Sequence, residues 1–257
     1  GVAVSIAFGQ KDWDRLKRGV FLSFSGIGLA AVALSSLAFL GIDEIMRLLQ
    51  VPEEIYELMR RYLLVIFTGI GGTFLYNYLA CLLRAIGNSV TPLIFLGISA
   101  VLNVVLDLLF VLSAGWGVAG AAFATVIAQW LSGIGLLLYT VRKAPELLPG
   151  RCHMKWNREE ATGIFRLSMI TSVQQSIMNF GILMVQGRVN SFGPAVMAAF
   201  AAAVKIDSFA YMPVQDFGNA FSTFIAQNYG AGKEKRIRQG ILSAVKTSMV
   251  FGAAVSV

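Results

Sequence analysis

Apolar residues come in unbroken blocks, and the length of those blocks decides what this chain can fold into. Blocks near 20–40, 62–83, 92–112, 118–141, 167–189 and 196–228 each reach the ~20 residues that a helix needs to cross a bilayer. A seventh begins at Ile241 and runs to Val257. Lipid offers no water to backbone polar groups, so a spanning segment must satisfy its own hydrogen bonds, which a helix does and an open strand does not. The spacing therefore predicts an all-α fold, a polytopic membrane helical bundle. Charge agrees: 14% of the residues are charged, against about 25% in soluble domains.

A repeat comes next. Residues 4–20, VSIAFGQKDWDRLKRGV, and residues 225–241, IAQNYGAGKEKRIRQGI, lie 221 residues apart. Phe8, Gly9, Arg15 and Gly19 fall opposite Tyr229, Gly230, Arg236 and Gly240. In each copy an apolar helix ends at glycine, a basic stretch follows and a new apolar run begins. A long-period repeat in a membrane chain signals two similar bundles with a ligand site between them, the design of a transporter. The chain opens at Gly1 inside one apolar run and stops inside another. It is expected to be a fragment, with further helices before and after it.

Positive charge sets the expected orientation. The loops 9–18, 84–91, 142–166 and 229–240 hold fifteen of the 21 Lys and Arg residues. The opposite loops hold Arg47, Arg60 and Arg61, with Asp43, Glu44, Glu53, Glu54 and Glu57 beside them. Short basic loops stay in the cytoplasm, so both repeat-closing loops are expected there, in a multi-pass protein of the plasma membrane. The basic pI follows from this topology and calls for no nucleic acid partner; the expected partners are the lipid bilayer and a small-molecule substrate.

Chemistry of the enzymatic kind finds little support. The two cysteines, Cys81 and Cys152, fit neither a disulfide framework nor a metal spacing. His153, the one histidine, reads as solvated in a basic loop, without an orienting partner nearby in sequence for a nucleophile pair with Cys152. No H-E-x-x-H or G-x-S-x-G arrangement occurs, so neither an enzyme nor a cofactor is expected.

Segment 142–166 divides the chain into an N-terminal part, 1–141, and a second part, 167–257. Pro145 and Pro149 open the segment, and Asn157 suits the cap of a short surface helix with Glu159 and Glu160 in its first turn. On the other side, Pro52 suits a first helical turn ahead of Glu53 and Glu54.

Polar residues inside spans are costly and mark function by default. Asn103 and Asp107 stand four apart in AVLNVVLDLLFV, on one helix face. They offer a carboxylate and an amide oxygen, hard ligands for a small cation such as Na⁺. Asp107 can alternatively hold a proton, and the pair can equally serve as a structural bond between helices. Thr125 lies in the next span, behind the small residues Gly120, Ala121, Ala122 and Ala124. Its hydroxyl is a further ligand if that face meets Asn103, or a donor to its own backbone if not. Gln174, Gln175 and Asn179, then Lys205 and Asp207 around a span that also carries Pro213, are candidates for a substrate cleft or for packing glue.

Taken together, IAQNYGAGKEKR, RAIGNSVTP at 84–92, NVVLD at 103–107, GWGVAGAAFAT at 115–125 and VQGRVNSFG with AAFAAAVKID at 185–207 resemble the multidrug and toxic compound extrusion (MATE) antiporters. The resemblance implies twelve helices in two six-helix lobes, with this chain running from the end of helix 2 to the start of helix 9. It implies an N-terminal lobe over 1–141, a cytoplasmic inter-lobe linker over 142–166, and the start of the C-terminal lobe over 167–257. It implies a cation site in the N-terminal lobe built from Asn103, Asp107 and Thr125 with an Asp on helix 1. A Glu on helix 7, used by some members, has no counterpart, since no acidic residue occurs from Leu167 to Asn190. The expected function is antiport of Na⁺ or H⁺ against amphiphilic organic cations, drugs or metabolites, by a monomer working through alternating access. A lipid-linked oligosaccharide flippase of the same superfamily is the alternative, with Arg188 and Lys205 as the cations available for a pyrophosphate. An intramembrane enzyme ranks last.

Overall fold

A computed structural model of the chain describes residues 1–48, 53–154, 156–190, 192 and 194–255. The helices are α1 (Val2–Gln10), α2 (Trp13–Leu40), α3 (Ile42–Leu48), α4 (Glu53–Thr68), α5 (Ile70–Ala85), α6 (Val90–Asp107), α7 (Gly117–Lys143), α8 (Arg158–Asn190), α9 (Pro194–Gly230) and α10 (Glu234–Val255). A π-helical stretch, Leu108–Ser113, continues α6, and two 3₁₀ turns, Pro145–Leu147 and Arg151–His153, follow α7. No strand occurs among the described residues. The fold is the all-α membrane bundle that the apolar blocks predict. Trp13–Leu40, Glu53–Ala85, Val90–Ser113, Gly117–Lys143 and Val196–Gly230 are each long and apolar enough to cross a membrane. Large apolar side chains such as Leu29, Leu40 and Leu112 lie open on these helices. So much continuous apolar surface requires lipid or further helices around it.

Contacts divide the chain into two compact units, one of Gly1 with Trp13–Lys155 and one of Val2–Asp12 with Trp156–Val257. In the first, α7 packs against α4, α5 and α6. Its small residues allow this: Gly120, Ala122, Ala124 and Gly133 are buried. A Cβ on Gly72 of α5 would stand 2.9 Å from the Trp130 amide nitrogen, and one on Gly133 would stand 2.9 Å from the Gly72 carbonyl oxygen. The two backbones touch, which is how membrane helices gain dispersion contact without a hydrophobic drive.

The block at 62–83 lies within one span, Glu53–Ala85, as expected, and the helix is interrupted inside it at Gly69, where α4 ends and α5 begins. The break frees the Thr68 carbonyl, and the Trp130 indole Nε1 donates to it at 3.0 Å. Any side chain at Gly69 would collide with Gln129 Oε1.

The short surface helix expected after Asn157 does not form as a separate element. Asn157 Oδ1 caps as anticipated, accepting from the Glu159 amide at 3.0 Å. The helix it opens is α8, which continues to Asn190. Gly163 costs such a helix about 1 kcal/mol, too little to end it. Helix α9 likewise continues through Pro213. Pro52 lies outside the described residues, while Glu53 and Glu54 do open α4. Arg60 Nε at 3.0 Å and the Tyr56 hydroxyl at 3.1 Å both donate to Asp43 Oδ1, clasping α4 to α3.

In the second unit the two sequence copies meet. Helices α1 and α9 end in the same turn: the Lys11 amide donates to the Phe8 carbonyl at 3.0 Å, as the Gly232 amide does to that of Tyr229 at 3.1 Å. The Asp12 amide reaches the Ala7 carbonyl at 3.1 Å, as Lys233 reaches Asn228 at 2.9 Å. Equivalent positions Lys11 and Gly232 both have positive φ, 58° and 66°. Across α1 and α9 the contact is reciprocal. Gly9 abuts the Gln227 carbonyl, and Gly230 abuts the carbonyl of Ile6, the repeat equivalent of Gln227. Exchange of equivalent residues across an interface is the mark of a local two-fold axis. Ser5, Ala7, Ala226 and Asn228 are buried there.

Candidate cation site

Four residues of α6 at spacing four, Phe95, Ser99, Asn103 and Asp107, form one stripe along the helix. Three of them contact α7. The Phe95 ring lies 6.3 Å from that of Tyr139, edge to face. The Ser99 hydroxyl donates to the Ala128 carbonyl at 2.9 Å. Asn103 Nδ2 donates to Thr125 Oγ1 at 3.4 Å. The partners fall in number as the α6 positions rise, so the helices are antiparallel, as the short turn between them requires. Thr125 also donates to the Ala121 carbonyl at 3.0 Å. Its two expected roles coexist: the hydroxyl is tied to its own helix and still meets Asn103.

Asp107 is the last residue of α6 before the π-helical stretch. Its carboxylate Oδ1 is shut off from solvent and accepts no hydrogen bond. Leaving a buried acceptor unmatched costs roughly 1–3 kcal/mol, and more when it is charged. π-helical turns recur at functional sites because they rotate the following residues relative to the regular helix. Here the stretch brings Phe110 onto Trp116, stacked at 5.1 Å, and Phe110 Cβ onto Gly120 so closely that a Cβ there would sit at 3.0 Å. The turn into α7 is thereby fixed, and with it the level of Thr125.

One carboxylate supplies a single negative charge, and the Asn103 amide oxygen and Thr125 hydroxyl are neutral hard donors. Among the described residues no group of three His, Cys, Asp or Glu side chains gathers in one place.

The cleft candidates Gln174, Gln175 and Asn179 lie exposed on α8, and Lys205 and Asp207 lie exposed on α9. These helices touch where the Tyr211 hydroxyl meets Met178 Sδ at 3.4 Å. The expectation for His153 is overturned. Its ring is only 13% exposed, and Nε2 lies 2.9 Å from Asp14 Oδ1. Cys152 Sγ lies beside the same ring, 3.2 Å from Nδ1 and 3.8 Å from Nε2.

The MatE family model matches residues 1–109 and 168–257. The chain belongs to the MatE family. Relatives of this MatE chain include the probable multidrug resistance protein YpnP of Bacillus subtilis, 34% identical over 82% of this chain and 46% of its own length. The probable multidrug resistance protein NorM of Thermotoga maritima is 26% identical over 93% of this chain and 51% of its own. The chain thus spans about half the length of the curated relatives it matches. In fold it is similar to the Vibrio cholerae MATE transporter VcmN in its bent form, with TM-score 0.86 and 21% identity over 97% of this chain and 57% of that one. The relatives are transporters and not enzymes.

Proposed function

We propose that this MatE chain forms the central part of a cation-coupled antiporter that exports amphiphilic organic cations, drugs or metabolites by alternating access. The observation that carries the reading is Asp107 Oδ1, a buried carboxylate oxygen without a partner, one helical turn from an Asn103 already in contact with Thr125. A site of this kind accepts Na⁺ or H⁺, and either would remove the cost of the unmatched acceptor. Exchange follows if ion and organic cation prefer different states of the transporter, or compete for one. The names of the relatives favour multidrug export over an oligosaccharide flippase.

In this reading residues 1–141 belong to the N-terminal lobe, 142–166 to a cytoplasmic linker and 167–257 to the C-terminal lobe. Gln174, Gln175, Asn179, Lys205 and Asp207 contribute to the substrate cleft, and the protein works as a monomer in the plasma membrane. The deciding experiment is Asp107→Asn in the full-length transporter, reconstituted in vesicles. We expect normal insertion and loss of efflux driven by an ion gradient. Undiminished gradient-driven efflux would remove Asp107 from the coupling role.

A further inference from the structure

A helix interrupted inside a span frees backbone groups that lipid cannot serve, so protein, water or an ion must. The interruption at Gly69 falls at the centre of Glu53–Ala85: α4 and α5, 16 residues each, stand on either side of it. Transporters use such breaks near the bilayer midplane to present backbone carbonyls to ions. Two of the carbonyls at this break are taken, that of Thr68 by the Trp130 indole at 3.0 Å and that of Val65 by the Thr68 hydroxyl at 2.6 Å. The Ile66 carbonyl accepts from the Gly69 amide at 2.9 Å, which uses one of its two lone pairs. Gln129 of α7 reaches the same spot. Its Oε1 abuts Gly69, and the Ile66 oxygen stands 3.1 Å from where a Gly69 Cβ would sit. Two oxygens thus converge on the space that the glycine leaves open. The Gln129 side chain is half-buried and makes no hydrogen bond among the described residues; its backbone carbonyl accepts from the Ser132 hydroxyl at 2.9 Å. A glutamine that served only to hold helices together would be bonded to one of them. Thr125 lies one turn away on the same face of α7 and meets Asn103. Asp107, Asn103, Thr125 and Gln129 therefore form a line of oxygen donors that leads from the unmatched carboxylate to the break in α4–α5.

We propose that Gln129 Oε1 and the Ile66 carbonyl oxygen form a second, weaker site for a monovalent metal cation of the Na⁺ class, one helical turn from the Thr125 hydroxyl. The site extends the reading of Asp107 as the coupling residue and rests on it. Both ligands are neutral oxygens, hard donors that suit such an ion. Neither is basic, so a proton has no place to rest there. No carboxylate holds the ion at the break, and occupancy is brief. A charged site beside a neutral one meets the requirement of passage: binding strong enough to enter and weak enough to leave. The ion moves between Asp107 and the break by exchanging one oxygen ligand for the next, with the Thr125 hydroxyl between them. Gly69 is part of the site because any side chain there would displace Gln129 Oε1.

The test uses the full-length transporter in vesicles, with radioactive Na⁺ as the probe. Two quantities are read: the rise in melting temperature on adding Na⁺, which reports the Asp107 site, and the rate of Na⁺ exchange across the membrane. We expect Gln129→Leu to keep the first and to slow the second about 10-fold. Gln129→Asn, which keeps the amide but draws it back from Gly69, should fall between Gln129→Leu and wild type. An unchanged exchange rate in Gln129→Leu would overturn the proposal, as would a wild type that exchanges no Na⁺. Loss of the melting response along with exchange would overturn it too, by placing Gln129 within the Asp107 site. Asp107→Asn, run in parallel, separates the two readings: undiminished exchange there removes Asp107, whereas undiminished exchange in Gln129→Leu removes only the second site. If Gln129→Leu fails to insert, Gln129→Asn decides by the same criteria.

Discussion

An aspartate whose inner oxygen has no partner is a destabilising feature until something binds it. Adding the ion or proton should therefore stabilise the protein, by mass action on the folded state. We expect the melting temperature of the full-length protein to rise with Na⁺, and Asp107→Asn to melt higher than wild type without ion and to lose that response. A variant that still responds would place the ion elsewhere. At Asp43 the balance is reversed. The Arg60 guanidinium bonded to it holds its carboxyl below 3.8, outweighing burial, with the Tyr56 hydroxyl helping. A depressed carboxylate stabilises at pH above its unfolded value and loses that contribution as pH falls through the folded one. Acid unfolding should begin at higher pH in Arg60→Met, with no difference in slope between the two proteins above pH ~5, where the carboxylate is ionised in both states. A changed slope near neutrality would contradict this. Asn103 and Asp107 are legible in the sequence because a spacing of four is a local property of one helix. Thr125 is legible because a short turn leaves the next helix one way to return. The bond between His153 and Asp14 is not, because its partners stand 139 residues apart and no periodicity links them.

Among the elements, what the sequence hides is where helices depart from regularity. The π-helical stretch after Asp107 has no compositional mark, since its residues, Leu108–Ser113, suit any apolar helix. The break at Gly69 sits under a glycine cluster, but the apolar block around it fits one span, and only the approach of Trp130 and Gln129 from α7 shows the break. Continuity of α8 is hidden for the opposite reason: a capping residue and two acidic residues mark where a helix starts and say nothing of where it stops. The repeat joints permit a sharper trial. Gly232→Lys copies the residue that the first repeat carries in the same left-handed turn, and should cost only about 1 kcal/mol. Gly72→Leu forces a side chain into the backbone of α7 and should cost about 3 kcal/mol or more, since neither helix backbone can yield cheaply. Thermal unfolding of the two variants should rank them in that order. A reversed order would mean that α5 and α7 can separate freely.

For the molecule as a whole, the two copies of the repeat carry matching basic stretches, and a parallel repeat puts both on one side of the membrane. With Cys81 and Cys152 replaced by Ser, single cysteines at Lys17 and Lys235 should react with an impermeant thiol reagent from the same side of intact cells or inverted vesicles. Labelling from opposite sides would make the repeats inverted. The joint between α1 and α9 has a further consequence, one for descent. Gly9 fits against a carbonyl that belongs to the copy of its own repeat, and Gly230 returns the same fit. Such a contact does not need both halves on one chain. Two separate molecules of an ancestral half would have docked by it as a symmetric dimer, and fusion of duplicated genes would then have preserved a surface already shaped to meet itself. Each glycine now faces a backbone carbonyl of the other copy, so a side chain added to either would part the joint from both sides.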